Sequence, residues 1–211
     1  MQPFLHKFII GLTGGIGSGK TAVSNWFATQ GIDIVDADVI SRTITAKGSP
    51  ILTELQKAFG ADIVVGGELD RVALRGRIFN NPNAVARLNA ITHPAIRAGI
   101  HKELSKTKSP YVILSVPLLL ESIKGEDKGL TALCQRILVV DVPVDVQIKR
   151  ASQRDGQSQQ QILDIISRQI DRATRLAYAD DVVDNSGDLE ALYAQLAILH
   201  DKYLTLVDKS L

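Results

Sequence analysis

The eight residues Gly14-Gly15-Ile16-Gly17-Ser18-Gly19-Lys20-Thr21 carry the clearest chemistry in the chain. They match the spacing glycine, any four residues, then Gly-Lys-Ser/Thr, which cradles a phosphate when it joins a strand to a helix. Glycines let successive backbone N–H groups turn inward, and a helix starting at Lys20 adds the positive end of its dipole. In this reading Gly15, Gly17, Ser18, Gly19, Lys20, Thr21 and Ala22 hold ATP. The Lys20 ammonium reaches the β- and γ-phosphates, and the Thr21 hydroxyl is the ligand for Mg²⁺. A second pattern, G-x-G-x-x-A from Gly17 to Ala22, has Asp36 and Asp38 about 20 residues on, as a dinucleotide fingerprint asks. A dinucleotide loop starts close to the strand end, whereas the apolar run here ends near Leu12. The Lys-Thr pair also supplies chemistry that such a loop does not need, so the phosphate loop is preferred.

Asp36-Ala-Asp38 follows a second apolar run, at the edge where open α/β sheets place their sites. Strand alternation sends both carboxylates to one side, where one could accept a proton from an attacking hydroxyl or hold a metal-bound water. The competing role is a helix cap, with Asp38 opening a helix at Val39-Ile40. Arg150 and Arg154 follow the fourth strand and precede the breaker Gly156-Gln157-Ser158. Arginines there can close over ATP and stabilise the migrating phosphoryl group. Arg168, Arg172 and Arg175 share one helical face at i, i+4 and i+7, which also suits a solvated surface. His93-Pro94 is either a substrate contact or a turn. His6, His101 and His200 lack the spacing of metal ligands.

Five short β-branched runs must position these groups: Phe8–Leu12, Ile32–Val35, Tyr111–Leu114, Arg136–Val140 and Asp181–Asp184. They are nearly continuous, as strands covered on both faces are. Helical stretches separate them, which predicts an α/β fold with a parallel five-stranded sheet flanked by helices. Two segments look inserted. Ser49–Lys108 carries Leu74, Ile78, Val85, Leu88 and Ile91 at helical spacing and reads as a helical subdomain. Val146–Ala179 carries the arginines and reads as a lid. The tail Leu189–Leu206 is an amphipathic packing helix.

Length and composition agree with one globular domain: 211 residues, 45% hydrophobic, 22% charged. A net charge of +1 gives no reason to expect a nucleic acid or a membrane surface as partner. The single cysteine, Cys134, excludes an intrachain disulfide, fits a reducing compartment and reads as a small buried hydrophobe. The Phe8–Leu12 run is too short for a signal peptide, and Val112–Leu120, broken by Ser115 and Pro117, is too short for a membrane span. The expectation is a cytoplasmic protein.

Among phosphate-loop proteins, a GTPase needs D-x-x-G followed by N-K-x-D. Asp184-Asn-Ser-Gly187 fits the first, but it lies near the end and no N-K-x-D exists. Motor and transport ATPases usually end an apolar strand with an acid, and here Leu114 leads to Ser115-Val116-Pro117. Two insertions suit a small-molecule kinase better than a nucleotide-dependent switch. The motif set resembles the dephospho-CoA kinases: Leu12 to Thr21, Asp36-Ala-Asp38, His93-Pro94, Pro117-Leu118-Leu119-Leu120-Glu121, Gln153-Arg154-Asp155, Gln169, and Ala179 to Gly187. The resemblance covers nearly the whole chain in order. It implies a P-loop NTPase-type fold and ATP-dependent phosphorylation of the ribose 3′-hydroxyl of dephospho-CoA, giving CoA and ADP. It further implies Asp38 as base with Asp36 in support, Arg150 and Arg154 as lid arginines, and the segment around Asn185 beside the adenine. His93 and the loop with Pro117, Leu118 and Glu121 would shape the acceptor site. A nucleoside monophosphate kinase is the nearest enzymatic alternative. Thr21 stands where serine is commoner, Ile165 where many members carry arginine, and Ser115 where an acid would make a second metal contact.

Overall fold

The computed structural model describes residues 7–121 and 129–209. His6 lies outside them. The chain divides into two compact units: residues up to Val35 together with those from Lys106 on, and Asp36–Ser105.

The first unit opens with β1 (Phe8–Gly14), α1 (Lys20–Thr29) and β2 (Asp33–Asp36), whose last residue already belongs to the second unit. The second unit contains α2 (Ala37–Ile44), α3 (Pro50–Phe59), a hairpin of β3 (Val64–Val65) and β4 (Glu68–Leu69), α4 (Arg71–Ile78) and α5 (Pro82–Leu104). The first unit then resumes with β5 (Tyr111–Ser115), β6 (Arg136–Asp141), α6 (Val144–Asp155), α7 (Gln159–Arg168), α8 (Arg172–Ala177), β7 (Asp181–Asp184) and α9 (Leu189–Asp208).

The sheet order is β2-β5-β1-β6-β7, and the pairings β5–β1, β1–β6 and β6–β7 are parallel. Alternation explains its burial. Ile10, Leu12, Tyr111, Ile113, Leu138, Val140 and Val183 share one core with Val23 and Phe27 of α1 and Leu192, Leu196 and Tyr203 of α9. On the other face Val139 packs with Leu120 and Ile170. Sheets covered on both sides read as continuous apolar runs, so all five strands were visible in the sequence. Thr13 and Gly14 continue β1 beyond Leu12 by pairing with Val139 and Val140. The loop that follows is therefore shorter than the sequence suggested.

In the second unit Leu55, Phe59, Ile63 and Leu74 form a core with Ile78, Leu88 and Ile91 around them, while Val85 is exposed. This unit starts at Asp36 rather than at Ser49, because α2 packs along α5, with Ile40 against Gly99. Polar caps define its helices: Asp36 for α2, Ser49 before Pro50 for α3, Asp70 for α4, and Asn81 before Pro82 for α5. His93-Pro94 lies inside α5, not in a turn. Proline there removes one intrahelical donor, which long helices survive at the cost of a local bend.

An ionic cluster ties α9 to the sheet. Asp181 is buried and accepts hydrogen bonds from Arg136 Nε (2.7 Å), Lys202 Nζ (2.5 Å) and the Tyr203 hydroxyl (3.1 Å). Burial alone would raise the Asp181 carboxyl, but the bonds from Arg136 and Lys202 outweigh it and hold it below the ordinary range. Such a depressed group adds stability above its unfolded pKa of about 4, and the gain is lost as pH falls through the lower folded value. Asp181→Asn is therefore expected to cost about 2 kcal/mol at pH 7, because the partly buried Arg136 and the more exposed Lys202 both lose the buried counter-charge they bond. Thermal melts should show the gap between wild type and variant closing below about pH 4. An equal gap at pH 7 and pH 3 contradicts this account.

Candidate active site

Between β1 and α1 the chain turns through Gly15–Gly19. Gly17 (φ 74°) and Gly19 (φ 87°) adopt the left-handed region that residues with a Cβ avoid. Gly15 O accepts from Ser18 N at 3.1 Å, which closes the first turn of the loop. Gly19 is the N-cap of α1 and offers no side-chain bond, unlike the capped starts of α2–α5 and α7–α9. No side chain caps the start of α1, so the positive end of its dipole faces an anion directly. The shorter loop removes the length argument against a dinucleotide site. What distinguishes it is Lys20 and Thr21 on the uncapped first turn, and Lys20 Nζ donates to Ser115 Oγ at 2.5 Å.

Side chains from the far half of the first unit grip this loop. Asn185, buried just after β7, donates from Nδ2 to Ser18 O at 2.7 Å. Its backbone oxygen accepts from Arg150 on α6 at 2.8 Å, and its N–H reaches Asp141 O at 3.0 Å. Gln169 Oε1 accepts from Ile16 N at 3.1 Å. The buried Gln147 packs on the loop so closely that a Cβ on Gly15 would sit 2.1 Å from its Nε2. Among the described residues, Ser18 Oγ is buried without a hydrogen-bond partner. Gln147 belongs to no motif, and its one signal in the sequence is that it shares a face of α6 with Arg150 and Arg154 at i, i+3 and i+7.

The arginines sort by burial. Arg175 is 6% exposed, donates to Ile170 O at 2.7 Å, and would lie 3.1 Å from a Cβ on Gly15. Burial lowers its pKa from the usual value, while the charges of Glu121, Asp141 and Asp171 oppose that shift. Arg172 makes a two-pronged contact with Asp141 (2.8 and 2.6 Å), and Arg154 one with its neighbour Asp155 (2.7 and 2.8 Å). Arg154 and Arg168 are exposed. In the loop after β5, Pro117 O accepts from Thr13 Oγ1 at 3.0 Å, and Leu118 is exposed. Glu121 accepts from Ile170 N at 3.2 Å. Cys134 packs beside Gly11, and burial pushes its thiol up to about 12.

Asp36, Asp38 and His93 belong to the second unit. β2 ends at Asp36, whose carboxylate caps α2 by accepting from Asp38 N (2.8 Å) and Val39 N (3.2 Å). Asp38 is exposed on the first turn of α2. The chain is already helical there, so strand alternation does not relate the two carboxylates. The cap is Asp36, two residues before the Asp38 of the competing sequence reading. His93 is exposed on α5 in a concavity of about 540 Å³, shared with Asn89, Arg97 and His101.

Magnesium fits the donor set at the loop. It binds through few protein oxygens plus substrate phosphates and water, and Thr21 is an exposed hydroxyl residue beside Lys20. Among the described residues no group of three or more His, Cys, Asp or Glu side chains could form an all-protein cage.

The model of the dephospho-CoA kinase family matches residues 8–191. The chain is 52% identical to the dephospho-CoA kinase of Psychrobacter arcticus over 208 residues, covering 97% of this chain and 89% of that relative. It is 50% identical to the enzyme of the same name from Acinetobacter baylyi over 198 residues, covering 93% and 98%. Among solved structures it resembles TT1252 from Thermus thermophilus with a TM-score of 0.80, 33% identity, and coverage of 93% and 98%.

Gly17→Ala would combine a left-handed φ with a methyl group 2.6 Å from the Gln147 backbone oxygen. Gly31 has a similar φ of 77° with open space around it, so Gly31→Ala isolates the backbone strain. Gly31→Ala is expected to cost about 1 kcal/mol and leave ATP binding intact. Gly17→Ala should cost more in a thermal melt and abolish ATP binding by calorimetry. Equal costs with normal binding in both variants contradict the assigned loop geometry.

Proposed function

The chain belongs to the dephospho-CoA kinase family, and from that premise we propose that it transfers the γ-phosphoryl group of ATP to the ribose 3′-hydroxyl of dephospho-CoA. The products are CoA and ADP, which makes this the last step of CoA formation. The observation that carries the reading is the uncapped glycine loop leading into Lys20 and Thr21, in a chain that matches this family from residue 8 to residue 191.

Phosphoryl transfer asks for positioning and charge neutralisation more than for covalent chemistry. The loop amides and the start of α1 hold the β- and γ-phosphates. Lys20 lies on them and offsets the charge that grows on the β–γ bridging oxygen as its bond to phosphorus breaks. Asp38 accepts the proton of the attacking 3′-hydroxyl as the new P–O bond forms. The support for Asp38 is its exposed place on the first turn of α2, while Asp36 is engaged as the cap. Arg150 and Arg154 neutralise the transferring group, with Arg154 exchanging Asp155 for phosphate. Mg²⁺, held by Thr21 and the phosphates, would supply further neutralisation.

The helical unit Asp36–Ser105, slightly offset from the 49–108 segment expected from sequence, is assigned to the acceptor. His93 and the loop with Pro117, Leu118 and Glu121 are assigned with it. The segment 146–179 is assigned as the lid, and the residues near Asn185 to the adenine. Among the described residues no helix is long and apolar enough to cross a membrane. We place the enzyme in the cytoplasm, a reducing compartment that its one free cysteine fits.

ADP release from Mg-ATP tests the reaction, with dephospho-CoA, AMP, dTMP, pantothenate and no acceptor run side by side. Release only with dephospho-CoA, matched by CoA formation, is expected. Release with a nucleoside monophosphate instead overturns the acceptor.

Lys20→Ala should lower kcat about 10²–10³-fold with an unchanged melting temperature. Wild-type turnover in that variant removes the phosphate-loop assignment. Asp38→Asn should lower kcat about 10²–10⁴-fold while the Kd for ATP stays within about two-fold. Lost ATP affinity at normal kcat would instead move Asp38 to the nucleotide side.

A further inference from the structure

Gln169 has no part in the mechanism above, yet its side chain reaches across 153 positions of sequence to the phosphate loop. It is the residue at which α7 ends, with an extended backbone (φ −83°, ψ 162°), and its own N–H bonds to Ile166 O at 3.0 Å. The next residue, Ile170, is buried against Leu120 and Val139. Ile170 N donates to Glu121 Oε1 at 3.2 Å, and Ile170 O accepts from the buried Arg175 at 2.7 Å. The backbone beside Gln169 is therefore fixed by an apolar contact and two side-chain hydrogen bonds. It is a rigid mount between α7 and α8.

From that mount Gln169 Oε1 accepts from Ile16 N at 3.1 Å. Only the carbonyl end of the amide can accept from an N–H, which fixes the orientation of the group and leaves its NH₂ as a donor beside the loop. Ile16 N and Gly15 O belong to one peptide plane, and Gly15 O accepts from Ser18 N at 3.1 Å. The plane is thus held at both ends. Were it to flip, both bonds would break and the neighbouring loop amides, whose task is to surround a phosphate with donors, would lose their setting.

We propose that Gln169 is a positioning residue for ATP binding: by accepting the Ile16 N–H it locks the Gly15–Ile16 peptide and couples the phosphate loop to the mount between α7 and α8. This rests on the kinase reading only in that ATP is the ligand of the loop. Gln169 acts through Ile16, not through the acceptor. Its loss changes nucleotide affinity and leaves dephospho-CoA recognition alone. Ile170, Glu121 and Arg175 hold the mount, so the bond from Ile16 ends on a fixed backbone.

Gln169→Met keeps length and removes the acceptor, whereas Gln169→Glu keeps the acceptor and adds a negative charge beside the loop. Three readouts are compared in the full chain: exchange of the Ile16 amide by NMR without nucleotide, Kd for a non-hydrolysable Mg-ATP analogue by calorimetry, and the KM values for both substrates. Gln169→Met should accelerate Ile16 exchange and weaken the ATP analogue about five-fold, the loss of one net hydrogen bond. Its KM for dephospho-CoA and its melting temperature should stay at wild-type values. Gln169→Glu should keep the slow Ile16 exchange and still weaken the analogue, through repulsion. Wild-type exchange and Kd in Gln169→Met overturn the proposal, as does a matched rise in both KM values with a fall in melting temperature. Exchange and Kd require no turnover, so failure to phosphorylate dephospho-CoA would overturn the function above and leave this test standing.

Discussion

A backbone loop that points its N–H groups inward at a dianion must turn its carbonyls elsewhere, and each of those needs a donor. The rest of the first unit is arranged around this constraint. Gly15 O is met by Ser18 N, Ser18 O by Asn185 Nδ2, and Gly19 O by Ala22 N at 2.9 Å. The donor that faces outward, Ile16 N, is met by Gln169. None of these partners costs the site a positive charge, and two of them are side-chain amides, which bond without attracting the phosphate's counter-ions. The loop is held by two of its own amides and by two side chains from outside before any nucleotide contributes.

The sheet explains how residues so far apart in sequence reach one loop. Parallel strands put their carboxyl ends along a single edge, and β1 sits in the middle with β5 on one side and β6 on the other. The chain fills the β5 side and then crosses to β6 and β7, so β1 ends at the point where the winding changes direction. That is where doubly wound sheets open a crevice. Ser115 at the end of β5 meets Lys20, and Asp141 at the end of β6 takes the N–H of Asn185, which follows β7. Strand order alone assembles the four carriers.

How far this was legible in the sequence depends on which signal each feature leaves. The strands announce themselves because Val, Ile and Leu must fill both faces of the sheet. The loop does so because its glycines and Lys20 have no cheaper explanation. Thr13 and Gly14 carry no apolar signal, so the last pairings of β1 with β6 stayed hidden. Asp36 and Asp38 invite strand geometry because Val35 precedes them; the capping bonds of Asp36 begin the helix one residue later. Pro94 suggested a turn, yet α5 runs through it. Asn185 was read through its expected neighbour, the adenine, while its side chain is spent on a backbone oxygen. Contacts between a side chain and a distant main-chain atom depend on tertiary placement, which residue type does not encode.

The arginines make the same point about energy rather than position. In sequence Arg154, Arg168, Arg172 and Arg175 look alike, the last three at the spacing of one helical face, though the fold puts Arg168 on α7 and the other two on α8. In the fold, Arg175 is buried and holds the Ile170 carbonyl, and withdrawing it would leave a backbone acceptor and a guanidinium to be satisfied again inside the protein. Arg154 is 64% exposed at its side chain and bonded to the neighbouring Asp155, in an ion pair that water and salt already weaken. A cation can change partners cheaply only where breaking the first contact exposes nothing that was buried. By that criterion Arg175 belongs to the framework, and Arg154 is a group a phosphate can recruit.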